Sequence, residues 1–438
     1  MRSLSSAPHP GPISTVDHEG VSPNGVLPHD DVLPAAAYLA GPDAEALLRT
    51  ALAAVDGDLR TVRTTHVQYR PQSDVVVRFD ATVSWGGGAA VGETLMASTT
   101  RSGPPAGSLP VVAEVDGRDL TVGVWRWPFD PSLPGLGDMV TPTTARARLG
   151  LDGPIELDVV AFRPTERAVV KVTSTDGSVR YVKVLRPDHI AAVVDRHRRL
   201  RDAGVPVPSI VAADEEAGWL AMEELTGDTL RVRIKSGRLP WPQPAEYGRL
   251  LGVLRQVELP GATPVPTRTK DGVGHAAMLA TVLPDQAARL ARLTTTLTPA
   301  IERAAARSGA TVHGDLYEAQ LVVDDHGITG LIDIDDAGPG DPVDDLASML
   351  GHLRYRETTA RDATSRRQLG GYADALRREF LTMTGELGVD PVELDVVTGA
   401  VLVGLATGPF RVQQRGWRHD VRRLLGRADR MITTASRT

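Results

Sequence analysis

The sequence predicts an α+β fold with two lobes, an antiparallel β-rich N-terminal lobe and a helical C-terminal lobe, preceded by an extra β-rich accessory domain. Short β-branched runs separated by turn residues dominate residues 155–225, which is typical of an antiparallel meander. Beyond residue 229 the apolar residues recur at a spacing near 3.6, which is typical of helices. With 438 residues the chain exceeds the usual size of one hydrophobic core, so two or three domains are expected.

Composition narrows the class of protein. The formal net charge is −7 and aromatic residues make up 4% of the chain, which disfavours a nucleic-acid partner. No cysteine is present, which excludes disulfides and thiolate metal sites. The first twenty residues lack the apolar segment of a secretory signal, and no run has the ~20 apolar residues of a membrane span. We therefore expect a soluble, cytoplasmic protein with no membrane partner. Its oligomeric state stays open.

The N-terminal third divides into a tail and an accessory domain. Residues 1–34 are rich in Pro, Gly, Ser and Asp without periodicity, and we interpret them as a mobile tail. Residues 35–150 form the predicted accessory domain, which begins with a helix after Asp43. The stretch HVQYRPQSDVVVRFDAT at 66–82 is similar to VVAFRPTERAVVKVTST at 159–175. This similarity indicates either chance or a degenerate copy of the following lobe, one that lacks its lysine.

Residues 151–226 form the predicted N-terminal lobe. Its strands are IELDVVAF, AVVKVTS and VRYVKVL, and alternation in the last one places Tyr181, Lys183 and Leu185 on one face. A helix is predicted from Asp188 to Asp202, before the stop at Gly204. The apolar strand 219–225 then leads into the helical C-terminal lobe, residues 227–438.

Residues 311–347 contain the polar side chains that are the strongest candidates for a catalytic site. Two β-branched runs flank the turn Asp-Asp-His-Gly at 324–327, which predicts a β-hairpin. In the predicted register Gln320 lies opposite Leu331 and Asp333 lies opposite Glu318. This brings Gln320, Asp333 and the preceding Asp315 to one end of the hairpin. Two carboxylates and an amide there predict a site for a divalent metal ion and a proton acceptor.

Taken in order, these motifs resemble the aminoglycoside phosphotransferase and choline kinase family, which has a protein-kinase-like fold. The family's catalytic loop reads H-G-D-x-x-x-x-N, and residues 313–320 read HGDLYEAQ. Its metal motif I-D-[FWL] corresponds to IDI at 332–334, and its G-D-P-x-x-D-L-A corresponds to GDPVDDLA at 340–347. The resemblance covers about residues 155–438.

The resemblance implies a kinase that uses ATP and Mg²⁺. Asp315 is then the catalytic base, Gln320 and Asp333 are the metal ligands, and Lys183 holds the α- and β-phosphates. Gln320 replaces the family's Asn. Branches resembling maltokinase and glucosamine kinase also have Gln here, which favours a sugar as acceptor.

The strand that joins the two lobes is expected to hold the adenine. By resemblance the contacts are the Glu223 carbonyl and the Leu225 amide, with Met222 lining the pocket. The acceptor is expected to be a small molecule with a hydroxyl group, a sugar, amino sugar or aminoglycoside, bound beside Asp315 and segment 348–420. Acidic residues there would suit a cationic acceptor, among them Glu357, Asp374, Glu379 and Glu386. The alternative is that they are solvated, as acidic residues on helices more often are.

Several features favour an alternative, a non-catalytic kinase-like module that binds nucleotide or a partner. The helix after Lys183 has no glutamate to pair with it, and Asp195 is the nearest candidate. The loop Arg163–Arg167, which would cover the phosphates, contains no glycine. A protein kinase is disfavoured, because the chain has no G-x-G-x-x-G and no A-P-E motif.

Other polar residues near the motif are expected to have structural roles. The loop that carries Asp315 is expected to be braced by His313, Asp341 and Asp345. We expect Asp335 and Asp336 to be solvated.

Overall fold

The computed structural model describes Leu27 and residues 30–115 and 117–435. Most of the predicted tail, residues 1–26, 28 and 29, lies outside the described residues. Leu27 and Asp30 are buried, and the Asp30 carboxylate accepts a hydrogen bond of 2.8 Å from the Tyr69 hydroxyl. The packed part of the chain therefore begins earlier than residue 35.

The described residues form strands and helices in the predicted order. The strands are β1 Gly57–Arg70, β2 Asp74–Trp85, β3 Ala90–Thr100, β4 Leu109–Val115, β5 Arg118–Arg126, β6 Ile155–Arg163, β7 Arg167–Ser174, β8 Val179–Leu185, β9 Ile210–Asp214, β10 Trp219–Glu223, β11 Asp228–Thr229, β12 Ala310–Val312, β13 Leu321–Val323, β14 Ile328–Leu331 and β15 Gly338–Gly340. The helices are α1 Ala35–Leu39, α2 Ala44–Ala53, α3 Leu136–Met139, α4 Pro142–Arg148, α5 Pro187–Asp202, α6 Leu230–Ser236, α7 Pro244–Leu254, α8 Arg268–Val282, α9 Ala287–Arg307, α10 Pro342–Thr359, α11 Ala363–Glu386, α12 Pro391–Leu405, α13 Gly408–Arg411 and α14 Trp417–Ala435.

These elements form two compact units. The first contains the described residues up to Ala191, with Ile210–Glu223 and Pro409–Trp417. The second contains Ala192–Ser209, Glu224–Gly408 and the described residues from Arg418 onward. The predicted α+β class, with β-sheets in the N-terminal part and helices in the C-terminal part, is confirmed.

The first unit contains two antiparallel sheets of five strands, in the orders β1-β2-β3-β5-β4 and β6-β7-β8-β10-β9. In β7 alternate residues point inward, because Ala168, Val170 and Val172 are buried while their neighbours are partly exposed. These side chains share one apolar cluster with Met96 and Trp125 of the other sheet. Helices α3 and α4 belong to the same cluster and pack on the second sheet.

The second unit is mostly helical, as predicted. Its core contains apolar side chains of α7, α10 and α11 together with the hairpin residues Leu321, Val323 and Leu331. Burial of this continuous apolar surface is the main force that holds the small strands in place. Within the described residues, segment Pro391–Arg411 has the length and apolarity of a membrane span, but 67% of its apolar 18-residue window is buried in the structure. A core helix of a soluble protein has the same properties.

Candidate active site

The site residues of the second unit lie on a short loop between β12 and β13 and on the turn after β14. Strands β13 and β14 form the predicted hairpin, but Leu331 pairs with Leu321 and not with Gln320. An irregularity between Val322 and Val323 shifts the register by one residue, which the position of the turn alone did not reveal. The Gln320 carbonyl accepts a hydrogen bond of 2.9 Å from the Ile332 amide. Gln320 is therefore still next to the segment that carries Asp333.

His313 braces the loop from inside, as predicted. It is fully buried, and its Nδ1 accepts a hydrogen bond of 3.2 Å from the backbone N–H of Asp315. Nδ1 therefore carries no proton, and Nε2–H donates to the Ile332 carbonyl at 2.9 Å. A single neutral imidazole thus joins the Asp315 loop to the strand before Asp333.

Asp345 holds the same loop from the first turn of α10. Its carboxylate accepts hydrogen bonds from the backbone N–H groups of His313 at 2.7 Å and Gly314 at 3.0 Å. Burial raises the pKa of Asp345, although the hydrogen bonds from the His313 and Gly314 N–H groups oppose the shift. Gly314 has a φ of +86°, a conformation that favours glycine, so the loop needs a glycine before Asp315.

Asp341 anchors the start of α10, the role predicted for it. Its carboxylate caps the helix by accepting from the Val343 N–H at 3.1 Å. Arg307 of α9 binds both oxygens of the carboxylate, at 3.2 and 2.6 Å. Asp341 and Asp345 are thus occupied in fixing the loop and the helix.

Asp315 lies at the surface of the second unit with 46% of its side chain exposed. Nη2 of Arg268, the first residue of α8, donates to Asp315 Oδ1 at 3.1 Å. Arg268 also pairs with Asp271 at 3.4 Å. Burial lowers the pKa of Arg268, but the charges of Asp315 and Asp271 outweigh it and the pKa is raised. No sequence pattern pointed to Arg268, because it lies far from the motif along the chain.

Gln320 and Asp333 are in direct contact. The Gln320 amide nitrogen donates to Asp333 Oδ2 at 3.1 Å, Gln320 is 4% exposed, and Asp333 has a left-handed φ of +61°. Carboxylate and amide oxygens are the hard ligands that Mg²⁺ prefers. Within the described residues no group of three His, Cys, Asp or Glu is placed to hold a metal. A magnesium ion here would thus take its other ligands from water and phosphate oxygens, which is its usual coordination in phosphoryl transfer.

A further cluster lies inside the loop and was missed by sequence reasoning. The Tyr317 ring stacks on His352 at 4.1 Å, and the Arg231 guanidinium lies 4.9 Å from the Tyr317 ring centre. The buried Glu318 pairs with Arg231 at 3.1 Å and with Arg356. Burial lowers the pKa of His352 to about 4, so this imidazole is neutral at pH 7. The cluster is spread over two helices, α6 and α10, and one loop, so no local pattern revealed it.

Two of the acids expected to attract a cationic acceptor are already paired. Glu357 contacts Arg354 at 3.0 Å and Arg427 at 3.2 Å, and Asp374 contacts Arg354. Asp195 pairs with Arg199 at 2.6 Å and with Arg198 on its own helix.

The remaining predicted contacts lie at two places in the chain. Lys183 lies on β8, paired in register with Val169 and Leu220, and only 4% of it is exposed. Met222 is buried near the end of β10 and Glu223, the next residue, is exposed. Leu225 belongs to the second unit, where its side chain packs on Gly330. Burial of a lysine ammonium group in an apolar sheet costs free energy unless the group is paired, so a lysine at this position is expected to have a specific role.

A match to a family model shows which protein family the chain belongs to. The model of the phosphotransferase enzyme family, APH, matches residues 160–381. The chain belongs to this family. The affiliation drawn from the motifs is confirmed, and the matched span of this phosphotransferase-family protein includes Lys183, Asp315, Gln320 and Asp333.

Several solved structures are similar to the chain. One is a thermostable mutant of aminoglycoside phosphotransferase APH(4)-Ia in ternary complex with ADP and hygromycin B, with 15% identity and a TM-score of 0.45 over 67% of this chain and 98% of that chain. Another is an aminoglycoside-3'-phosphotransferase of type VIII, with 20% identity and a TM-score of 0.41 over 59% and 97%. A third is an ethanolamine kinase of Plasmodium vivax, with 10% identity and a TM-score of 0.42 over 64% and 84%. The search of curated proteins gave no match.

Proposed function

We propose that this protein is an ATP- and Mg²⁺-dependent small-molecule kinase that transfers the γ-phosphoryl group to a hydroxyl of a sugar, amino sugar or aminoglycoside. The observation that carries the proposal is the fixed loop around Asp315. His313 and Asp345 hold its backbone by three hydrogen bonds of 2.7 to 3.2 Å. A fourth joins the His313 ring to the Ile332 carbonyl at 2.9 Å, and Gln320 and Asp333 are in contact with each other. Phosphoryl transfer depends mainly on positioning and charge, so a rigid loop with these residue types suits it.

Asp315 is the proposed catalytic base. Its exposed carboxylate accepts the proton of the acceptor hydroxyl as that oxygen attacks phosphorus. Arg268 holds one carboxylate oxygen at 3.1 Å, which leaves Oδ2 for the hydroxyl. Asp333 and Gln320 would hold the magnesium ion. When bound, the metal neutralises charge on the phosphate oxygens.

The nucleotide contacts are proposed from the family resemblance and from burial. Lys183, a buried lysine on β8, is the proposed partner of the α- and β-phosphates. The Glu223 carbonyl and Leu225 amide are the proposed adenine contacts, with Met222 as an apolar wall.

Within the proposed acceptors, a neutral sugar is favoured over a polycationic aminoglycoside. Glu357 and Asp374 are neutralised by arginines of their own unit. Arg268 lies against Asp315 itself, and its positive charge would repel a cationic acceptor.

The test is release of ADP from Mg-ATP in the presence of a panel of sugars, amino sugars and aminoglycosides. We expect acceptor-dependent turnover that is lost in Asp315→Asn, which keeps the shape of the side chain but cannot accept the proton. Absence of both turnover and magnesium-dependent thermal stabilisation by ATP would rule out the proposal.

A second candidate is a kinase-like module that binds nucleotide without catalysis. It is favoured by Asp195, whose contacts with Arg198 and Arg199 occupy it on its own helix. The same assay separates the two functions. Nucleotide binding without turnover for any acceptor, and no change in Asp315→Asn, would support the module.

A further inference from the structure

The two sheets of the first unit repeat each other. In both, the third strand pairs with the fifth and the fifth with the fourth. Each sheet follows two short helices and the pattern Asp-x-x-Leu-Pro, at 30–34 and at 130–134. The similar stretches 66–82 and 159–175 lie on the first hairpin of each sheet. Sequence and topology therefore agree that the accessory sheet is a copy of the sheet that carries Lys183.

The first hairpins of the two sheets close with the same tight turn. In each, the carbonyl of an arginine accepts a hydrogen bond from the N–H three residues later, at 3.0 Å in the accessory copy and 3.1 Å in the other. Proline occupies the second position, and the third position is left-handed, with φ of +60° at Gln72 and +64° at Thr165. This is the pattern of a type II turn, whose third position ordinarily takes glycine. Here it holds glutamine or threonine.

A carboxylate stabilises this conformation in both copies. Asp130 Oδ2 accepts from the Thr165 N–H at 2.8 Å, and Asp30 Oδ2 accepts from the Gln72 N–H at 2.8 Å. The Oδ1 atom of each carboxylate accepts from the backbone N–H two residues after the aspartate. The donor is Ser132 at 2.9 Å for Asp130 and Val32 at 3.0 Å for Asp30. Each aspartate is the first residue of its Asp-x-x-Leu-Pro pattern. The repeated motif therefore supplies the group that fixes the turn.

Thr165 needs this support more than most residues would. A β-branched side chain at positive φ is strained, so the turn persists only where its surroundings hold it. Asp130 is 4% exposed, and a hydrogen bond to a buried carboxylate is stronger than one in water. The next residue, Glu166, is held as well, since it accepts from Gln68 at 2.7 Å and from Arg70 at 2.9 Å.

We propose that Asp130 is a positioning residue for the nucleotide phosphates. It gives the glycine-free turn 163–167 the left-handed shape that a glycine would otherwise supply, and so presents the turn backbone to the phosphates. The inference rests on the proposed function, in which this turn covers them. Asp30 does the same for the β1–β2 turn of the copy that lacks the lysine, so its loss serves as the matched control.

The test compares Asp130→Ala, Asp30→Ala and the double variant Asp130→Ala with Thr165→Gly in the full-length protein. Calorimetry gives the Kd of Mg-ADP, and steady-state assays give kcat and the KM values. We expect Asp130→Ala to raise the Kd of Mg-ADP and the KM for ATP about tenfold, the effect of one strong hydrogen bond. The acceptor KM and kcat at saturating ATP should stay within about twofold. Glycine adopts positive φ without strain, so the double variant should regain most of the affinity.

Asp30→Ala should leave the nucleotide affinity within about twofold, because Gln68 and Arg70 remain on the intact β1–β2 ladder. Equal nucleotide affinity in Asp130→Ala and wild type, or equal losses in Asp130→Ala and Asp30→Ala, would overturn the inference while leaving the kinase proposal intact. A wild-type protein that binds no Mg-ADP would overturn both. Should Asp130→Ala fail to fold, Asp130→Asn, which keeps one acceptor oxygen, gives the same comparison with a smaller loss.

Discussion

Asp344, in the first turn of α10, should make the stability of the protein depend strongly on pH. Only 2% of it is exposed, and its Oδ1 has no hydrogen-bond partner within the described residues. Burial and the neighbouring Asp341 raise its pKa to about 8, although the Arg268 N–H and charge oppose the shift. An aspartate in the unfolded chain has a pKa near 3.8. Between these two values the folded protein holds one more proton than the unfolded chain.

This difference in bound protons determines how the free energy of unfolding changes with pH. The free energy of unfolding is highest below the unfolded pKa and falls as the pH rises toward 8, by about 1.4 kcal/mol per pH unit. From pH 5 to pH 7 the loss from Asp344 alone is about 3 kcal/mol. Asp344→Asn removes this loss, because an amide does not titrate and keeps the shape of the side chain.

Urea unfolding of wild type and Asp344→Asn at pH 5 and pH 7 measures the effect. The stability of the variant relative to wild type should increase by about 3 kcal/mol over this range. Glu302→Gln, an exposed acid on α9, is the control and should change by no more than about 0.5 kcal/mol. A relative stability of Asp344→Asn that is the same at both pH values would refute the reasoning.

Three other predictions follow from the site. Arg268→Gln breaks the contact of 3.1 Å with Asp315 and should lower kcat roughly tenfold to a hundredfold in the ADP-release assay. Arg268→Lys should give an intermediate kcat. An unchanged kcat in Arg268→Gln would show that Arg268 has no role in the site. His313→Ala leaves the Asp315 N–H and the Ile332 carbonyl unpaired and should destabilise the protein by about 1–3 kcal/mol in urea unfolding, and a neutral result would contradict its bracing role. In Gly330→Ala the new Cβ would lie 2.3 Å from the side chain of Leu225, so the free energy of unfolding measured in urea should fall by about 1–3 kcal/mol. The control is Gly371→Ala, whose new Cβ has nothing within 4 Å and should not destabilise the protein.

The accessory sheet has a physical role in the first unit. Its inner face shares one apolar cluster with the second sheet, and Trp127 contacts Phe162 edge to face at 4.7 Å. Deletion of the accessory sheet would expose this cluster to water. The accessory sheet is therefore part of the core of the first unit.

The sequence by itself determined the class of fold and the chemical motif. Alternation and helical spacing are local, so the strands 155–223 and the C-terminal helices could be read from periodicity. The motif residues Asp315, Gln320 and Asp333 lie within nineteen positions of each other, directly before and after one hairpin, so local spacing was enough to predict that they lie together. One irregularity in the ladder was enough to shift the predicted register by a residue.

Only the tertiary structure decided which groups hold the site in place. Arg268 lies 47 positions from Asp315, and Asp130 lies 35 positions from Thr165, so no spacing rule connects them. The absence of glycine from the turn 163–167 favoured the non-catalytic alternative, because sequence patterns record intrinsic preference and not the carboxylate that overrides it. Burial likewise sets the pKa of Asp344 and His352, and burial is a property of the packed chain alone.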